Sequence, residues 1–286
     1  MEKDTISSTT GTKRSWEGIP VHNKPLKSQT FTETMSDSTP NVHSMFESFR
    51  DELDQHHDRR ERLIKISRDI TALSKKIIFS LQRVRTAGIP VAQSIKKDTE
   101  PRFAQINDLF RSATPEITGL SSHRYLRQLS PGIQEFIEAL SFHHYLENQT
   151  LITISEVKAH LPAGILVTEE DYIMGLFDLT GELMRFAVTS LSAGSAQEGN
   201  EPGQLPKLPP AQAGVVRDLR ELRAEFESIS IPRRWNMFRD YGKKAEVMQG
   251  SVEKVERAAY GILVRGSERP AGWKPDLSAG VEMEIY

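Results

Sequence analysis

Residues 63–84, LIKISRDITALSKKIIFSLQRV, decide the fold of this chain. Leu63, Ile66, Ile70, Leu73, Ile77, Leu81 and Val84 recur at spacings of three and four, so they line one face of an α-helix. Gly88 and Pro90 stop it. The helical pattern begins near Ser44, and a single helix over 44–87 would be roughly 65 Å long at about 1.5 Å per residue, more than a lone globular domain needs. A long bundle or an oligomeric shell would use such a length.

Outward from this segment the same spacing returns twice. It appears as Val215, Leu219, Leu222, Phe226 and Ile229, and again as Ala245, Met248, Val252, Val255, Ala259 and Ile262, ahead of Gly266 and Pro270. Residues 101–129, 132–145, 155–160 and 169–191 also read as helical, with Ser155 and Thr168 as N-caps. No hairpin signal separates two alternating runs, and the alternation over 281–286 is one short strand without a partner. Residues 192–214 are rich in Gly and Pro and form a flexible loop between helices. The expected fold class is therefore all-α, a single seven-helix bundle with a long first helix. Residues 1–42, with fourteen Ser or Thr and five residues of each charge sign, read as a disordered tail. The helical domain is expected over 43–270 and a C-terminal tail over 271–286. Lys13-Arg14 is too short a basic cluster to stand as an import signal.

Composition narrows the function. The 286 residues are 37% hydrophobic and 27% charged, a balance that suits a packed soluble domain and excludes a fibre or a wholly disordered chain. No apolar run approaches 18 residues and the N-terminus lacks an apolar core, so neither a membrane partner nor a secretory route is expected, and the chain is placed in the cytoplasm and nucleus. The absence of cysteine removes disulfides, thiolate metal sites and cysteine nucleophiles. No P-loop, G-x-G-x-x-G or H-E-x-x-H occurs.

The residues that could do chemistry sit on two otherwise apolar helices. Over 133–142, IQEFIEALSF, the charges are Glu135 and Glu138, three apart and so on one face. Over 172–191 they are Asp178, Glu182 and Arg185. Asp178 and Glu182 are four apart, where like charges repel. Carboxylates on apolar helices risk costly desolvation unless a cation, a proton or a metal meets them. Two such pairs facing each other would suit a hard divalent ion such as Mg²⁺ or Mn²⁺. The alternative is an ordinary Glu182–Arg185 ion pair with Glu135 and Glu138 on a solvent edge. A di-iron carboxylate bundle would add Glu-x-x-His motifs, and the chain has none. His143 and His144 lie off the face of Glu138 and read as packing or supporting residues.

Charge is uneven along the first helix. Residues 47–58 carry five acidic residues and one basic, whereas 59–85 carry nine basic and two acidic. Lys65, Arg68, Lys75, Lys76 and Arg83 fall opposite the apolar stripe, as a ridge that could follow a phosphate backbone or face solvent or an acidic partner. His123, Arg124, Tyr125 and Arg127 form a second basic and aromatic cluster, able to stack on an unpaired base.

GIQEFIEALSF (132–142), DYIMGLFDLTGELMR (171–185) and VRGSERP (264–270) closely resemble stretches of the translin-associated factor X group of the translin family, over about residues 46–270. The resemblance implies a seven-helix fold that joins a translin paralogue in a closed hetero-oligomeric shell. It also implies an endoribonuclease acting on single-stranded RNA in RNA silencing and tRNA processing, with single-stranded DNA as a further ligand. The family's catalytic acids match Glu135, Glu138, Asp178 and Glu182, which the resemblance makes the ligands of Mg²⁺ or Mn²⁺. Ser130-Pro131 departs from the pattern, and a helix restarting after Pro131 is expected to reorient the first pair. A metal-free route would instead use the RNA's 2′-hydroxyl with a base such as His123. The reading from a different class is a non-catalytic architectural subunit that binds single-stranded nucleic acid through the basic ridge.

Overall fold

The computed structural model describes residues 41–194, 208–230 and 240–264, and the expectations for the two tails and most of the 192–214 loop lie outside them. The chain divides into two compact units, 1–48 and 49–286. In the first, Asn41 O accepts from Met45 N–H at 3.2 Å and from the Ser44 hydroxyl at 2.7 Å, which opens a helix. Seven α-helices occur among the described residues: α1 Val42–Leu81, α2 Gln93–Ala113, α3 Ser121–Asn148, α4 Ile154–Ala159, α5 Glu169–Gly194, α6 Pro210–Ser228 and α7 Tyr241–Leu263. No strand accompanies them among those residues. None of these helices is long and apolar enough to cross a membrane.

The fold class is as expected, and the helix boundaries differ for identifiable reasons. α1 closes at Leu81, ahead of Gly88. Its last turn tightens as Val84 N–H bonds Leu81 O at 2.9 Å, and Arg83 Nε satisfies Ser80 O at 3.2 Å. The break expected at Ser130-Pro131 lies earlier. Pro115, in the 3₁₀ turn Thr114–Ile117, and Gly119, at φ 58°, separate α2 from α3. Pro101 and Pro131 both sit inside helices. At Pro131 the lost backbone bond is offset by tertiary partners, since Gly132 N–H donates to Ser67 Oγ of α1 at 3.0 Å and the Ser130 hydroxyl donates to Asp171 of α5. α4 is capped by Thr153, not Ser155. Thr153 Oγ1 accepts from Glu156 N–H at 3.2 Å and Glu156 Oε2 accepts from Thr153 N–H at 2.7 Å, a reciprocal capping box. Thr168 caps α5 as expected, accepting from Asp171 N–H at 3.1 Å.

α5 is apolar on nearly every side and is correspondingly central, packing on α3, α6 and α7. Phe177 stacks on Phe226 of α6 at 4.0 Å and meets Tyr241 of α7 edge-on at 5.3 Å. Against α3, α5 presents Gly175, where a Cβ would lie 2.7 Å from Ile137 Cγ2 and 3.0 Å from Gln134 O. Only glycine permits this approach. It brings together the two helices that carry the acidic pairs.

Candidate functional site

Glu135 and Glu138 follow the Gln134–Ile137 seam on α3, and Asp178 and Glu182 lie one and two turns beyond Gly175 on α5. All four therefore share one side of the α3–α5 junction. Glu138 carries the consequence. Burial, reinforced by the charges of Asp178, Glu135 and Glu182 and only partly offset by Lys244, pushes its carboxyl up to about 8. Glu135 is also raised, chiefly by burial, with Lys75 acting in the opposite direction. Its Oε2 is buried and has no hydrogen-bond partner.

Cations and an amide answer the rest of this charge. Lys244 of α7 reaches both oxygens of Asp178 at 2.6 Å. Lys75 of α1 stands 3.4 Å from Glu135 Oε1. Glu182, almost wholly buried, accepts from Gln82 Nε2 at 2.8 Å and from Arg185. The Glu182–Arg185 pair anticipated as the ordinary alternative does form, but it accounts for one of the four acids.

Hard oxygen donors in this number suit a divalent cation in chemistry, and Glu135 Oε2 is an acceptor without a hydrogen-bond partner. The arrangement is nonetheless open, because among the described residues no three acidic or imidazole side chains stand as a ready-made cage. Lys75, Lys244 and Arg185 face three of the acids, and burial raises the carboxyl of the fourth, Glu138.

The other candidate residues divide. Lys65, Arg68 and Lys76 are exposed and pair with no carboxylate among the described residues. Lys75 turns to Glu135, and Arg83 pairs with Asp98 at 2.5 Å, so the ridge is shorter than its sequence suggests. His123 and Arg127 are exposed, while Arg124 donates to His56 Nε2 at 2.7 Å. Tyr125 cannot serve as a stacking platform: it is buried, hydrogen-bonded to His56, and covered by Arg59, whose guanidinium lies 5.7 Å from the ring centre. His123 is twelve residues from Glu135 on the same helix, about 18 Å along the axis, too far to serve the same phosphate. His143 packs edge-on against Phe103 at 5.7 Å, and burial lowers its pKa. Lys244 and Gln82 escaped sequence reasoning, because each meets its acid across a long stretch of chain.

Comparison with known proteins agrees with this architecture. The chain is 31% identical over 266 residues to translin-associated protein X of Rattus norvegicus, covering 85% of both chains. Human translin is 22% identical over 239 residues, covering 79% of this chain and 94% of its own. The crystal structure of apo-NeC3PO shares the fold at a TM-score of 0.55 and 17% identity, over 78% of this chain and 97% of that one. The translin family model matches residues 58–266, a span that contains both acidic helices, and the chain belongs to the translin family.

Proposed function

We propose that this chain is the acid-bearing subunit of a translin-containing endoribonuclease that cleaves single-stranded RNA with Mg²⁺ or Mn²⁺. The observation that carries the reading is the surplus of carboxylate at the α3–α5 junction. Structural ion pairs close their charge, whereas here one oxygen of Glu135 is orphaned and Glu138 keeps a proton near neutrality. Glu135, Glu138, Asp178 and Glu182 would hold the ion. When bound, a divalent ion supplies a water of lowered pKa and polarises a phosphate oxygen.

The chain's own side chains prepare the site. Gln82 and Arg185 fix Glu182 from two sides, and Lys244 fixes both oxygens of Asp178, so these carboxylates lose little freedom when RNA arrives. A translin-like paralogue is the proposed partner. Leu53, Phe79 and Val247 are each at least two-thirds exposed, apolar surface that suits burial in an assembly. The isolated chain is expected to aggregate and to be rescued by co-expression with that paralogue, and a soluble, active monomer in size-exclusion chromatography would count against the partner.

Asp178→Asn tests catalysis directly. In the reconstituted complex it should preserve assembly and RNA binding while lowering cleavage by about 100-fold or more, equivalent to roughly 3 kcal/mol of barrier. Products should carry 5′-phosphate and 3′-hydroxyl ends. Unchanged cleavage, or cyclic phosphate ends that persist in EDTA, would remove the acids from the mechanism.

The exposed cations of α1 favour a second reading, a purely nucleic-acid-binding subunit. If Arg68 and Lys76 contact phosphates, their joint change to Ala should flatten the slope of log affinity against log salt by about 1.4 on single strands. An unchanged slope would show that this face of α1 is only solvated.

A further inference from the structure

A cavity of about 380 Å³ opens beside the acid cluster, between the segment just after α1 and the second half of α5. Its volume falls in the range of small-molecule sites, about 300–1,000 Å³. Val84, Phe142 and Val188 give it apolar walls, and Gln82, Arg85 and Arg185 give it polar ones. Two of these residues also belong to the acid site, because Gln82 and Arg185 are the hydrogen-bond donors to Glu182. Arg85 is exposed and pairs with no carboxylate among the described residues.

The lining selects its occupant by chemistry. Apolar walls with an amide at one edge match a flat heteroaromatic ring, and a guanidinium without an acidic partner matches a phosphate. A purely apolar side chain from a partner would leave the Arg85 guanidinium unused. Because Gln82 and Arg185 bridge the cavity to Glu182, whatever fills it lies next to the position where phosphate chemistry is proposed.

We infer that this cavity is a nucleotide subsite that takes one unstacked base, with Arg85 on its phosphate, from single-stranded RNA lying across the acid cluster. The inference rests on the nuclease reading above and deepens it, since a base can enter such a cavity only when it is unpaired and unstacked. The cavity thereby becomes a source of single-strand specificity, which the carboxylates alone do not provide.

The test uses the full chain in its complex, with adenosine 5′-monophosphate as probe in EDTA, so that neither metal nor cleavage enters. Adenosine monophosphate should bind about tenfold more tightly than inorganic phosphate, and Arg85→Ala and Val188→Trp should each weaken it about tenfold. Arg85 is exposed, so its variant decides the matter even if Val188→Trp fails to fold. Equal binding of the two probes, or nucleotide binding that survives Arg85→Ala, overturns the subsite. So does a complex in which Val188→Trp blocks assembly and the wild type takes no nucleotide, because a partner segment then fills the cavity. Cleavage of single-stranded RNA by the same wild-type complex with Mg²⁺ separates the two claims. Nucleotide binding without cleavage supports the subsite and sinks the nuclease reading, whereas cleavage without nucleotide binding sinks the subsite alone.

Discussion

Glu138→Gln will be more stable than the wild type at pH 8 and about equally stable at pH 4.5, while losing cleavage. In the folded chain the Glu138 carboxyl titrates near 8, raised first by burial and then by Asp178, Glu135 and Glu182. In the unfolded chain it titrates near its ordinary value of 4.5. Below that value both states hold the proton, and the site imposes no penalty. As pH rises from 4.5 towards 8 the unfolded state releases its proton and the folded state does not, so stability falls through this window and the loss is complete above it. Glutamine keeps the shape and a donor without titrating. Allowing for relaxation and water entry, the variant should gain about 2–3 kcal/mol at pH 8 in metal-free buffer, or roughly 5–10 °C in Tm. Cleavage with Mg²⁺ should fall by about 100-fold or more. A difference in Tm that is the same at both pH values would mean that Glu138 is not strained by its neighbours. A gain in stability coupled to a loss of activity is what a functional carboxylate held in an unfavourable field predicts, whereas a structural one would lose both.

The period-3.6 stripes suffice to place α1, α6 and α7, because tertiary packing there reinforces what local spacing already favours. The misplaced breaks share a cause. Proline reads locally as a boundary, yet Pro131 is held within α3 by Ser67 and Asp171, residues 64 and 40 positions away, whose help no local rule can see. At α4 the cap is legible in the sequence, because Glu156 completes a Thr-x-x-Glu capping box with Thr153, which Ser155 cannot form.

The acids themselves stood out as charges on apolar faces, which is a local property. Their neutralisation is not local. Lys244 meets Asp178 from α7 and Gln82 meets Glu182 from the end of α1, so neither has a signature at helical spacing. Lys75 looked like part of an outward ridge because a helical wheel records direction but not the neighbouring helix, and α3 lies within its reach. Tyr125 looked like a stacking residue for the same reason, and its burial under Arg59 shows why aromatic residues next to arginines are ambiguous in sequence.

Two glycines of α5, six residues apart, should respond with opposite signs to the same change. At Gly181 an added Cβ meets nothing within 4 Å, so Gly181→Ala should stabilise the helix by about 1 kcal/mol through propensity alone. At Gly175 the same Cβ would fall 2.7 Å from Ile137 Cγ2, 2.9 Å from Ile137 Cβ and 3.0 Å from Gln134 O. None of these atoms is the loose end of a flexible side chain, so α3 and α5 must separate by some tenths of an ångström. Overpacking of this kind costs about 1–3 kcal/mol. Both variants share the propensity gain, so Gly175→Ala should lie below Gly181→Ala by the overpacking cost, about 1–3 kcal/mol in urea unfolding. The separation also widens the gap between Glu138 and the α5 acids, so the Glu138 carboxyl should titrate closer to its ordinary value. The pH-dependent advantage of Glu138→Gln should therefore shrink in the Gly175→Ala background. An undiminished advantage would mean that the close approach at Gly175 does not set the field at Glu138.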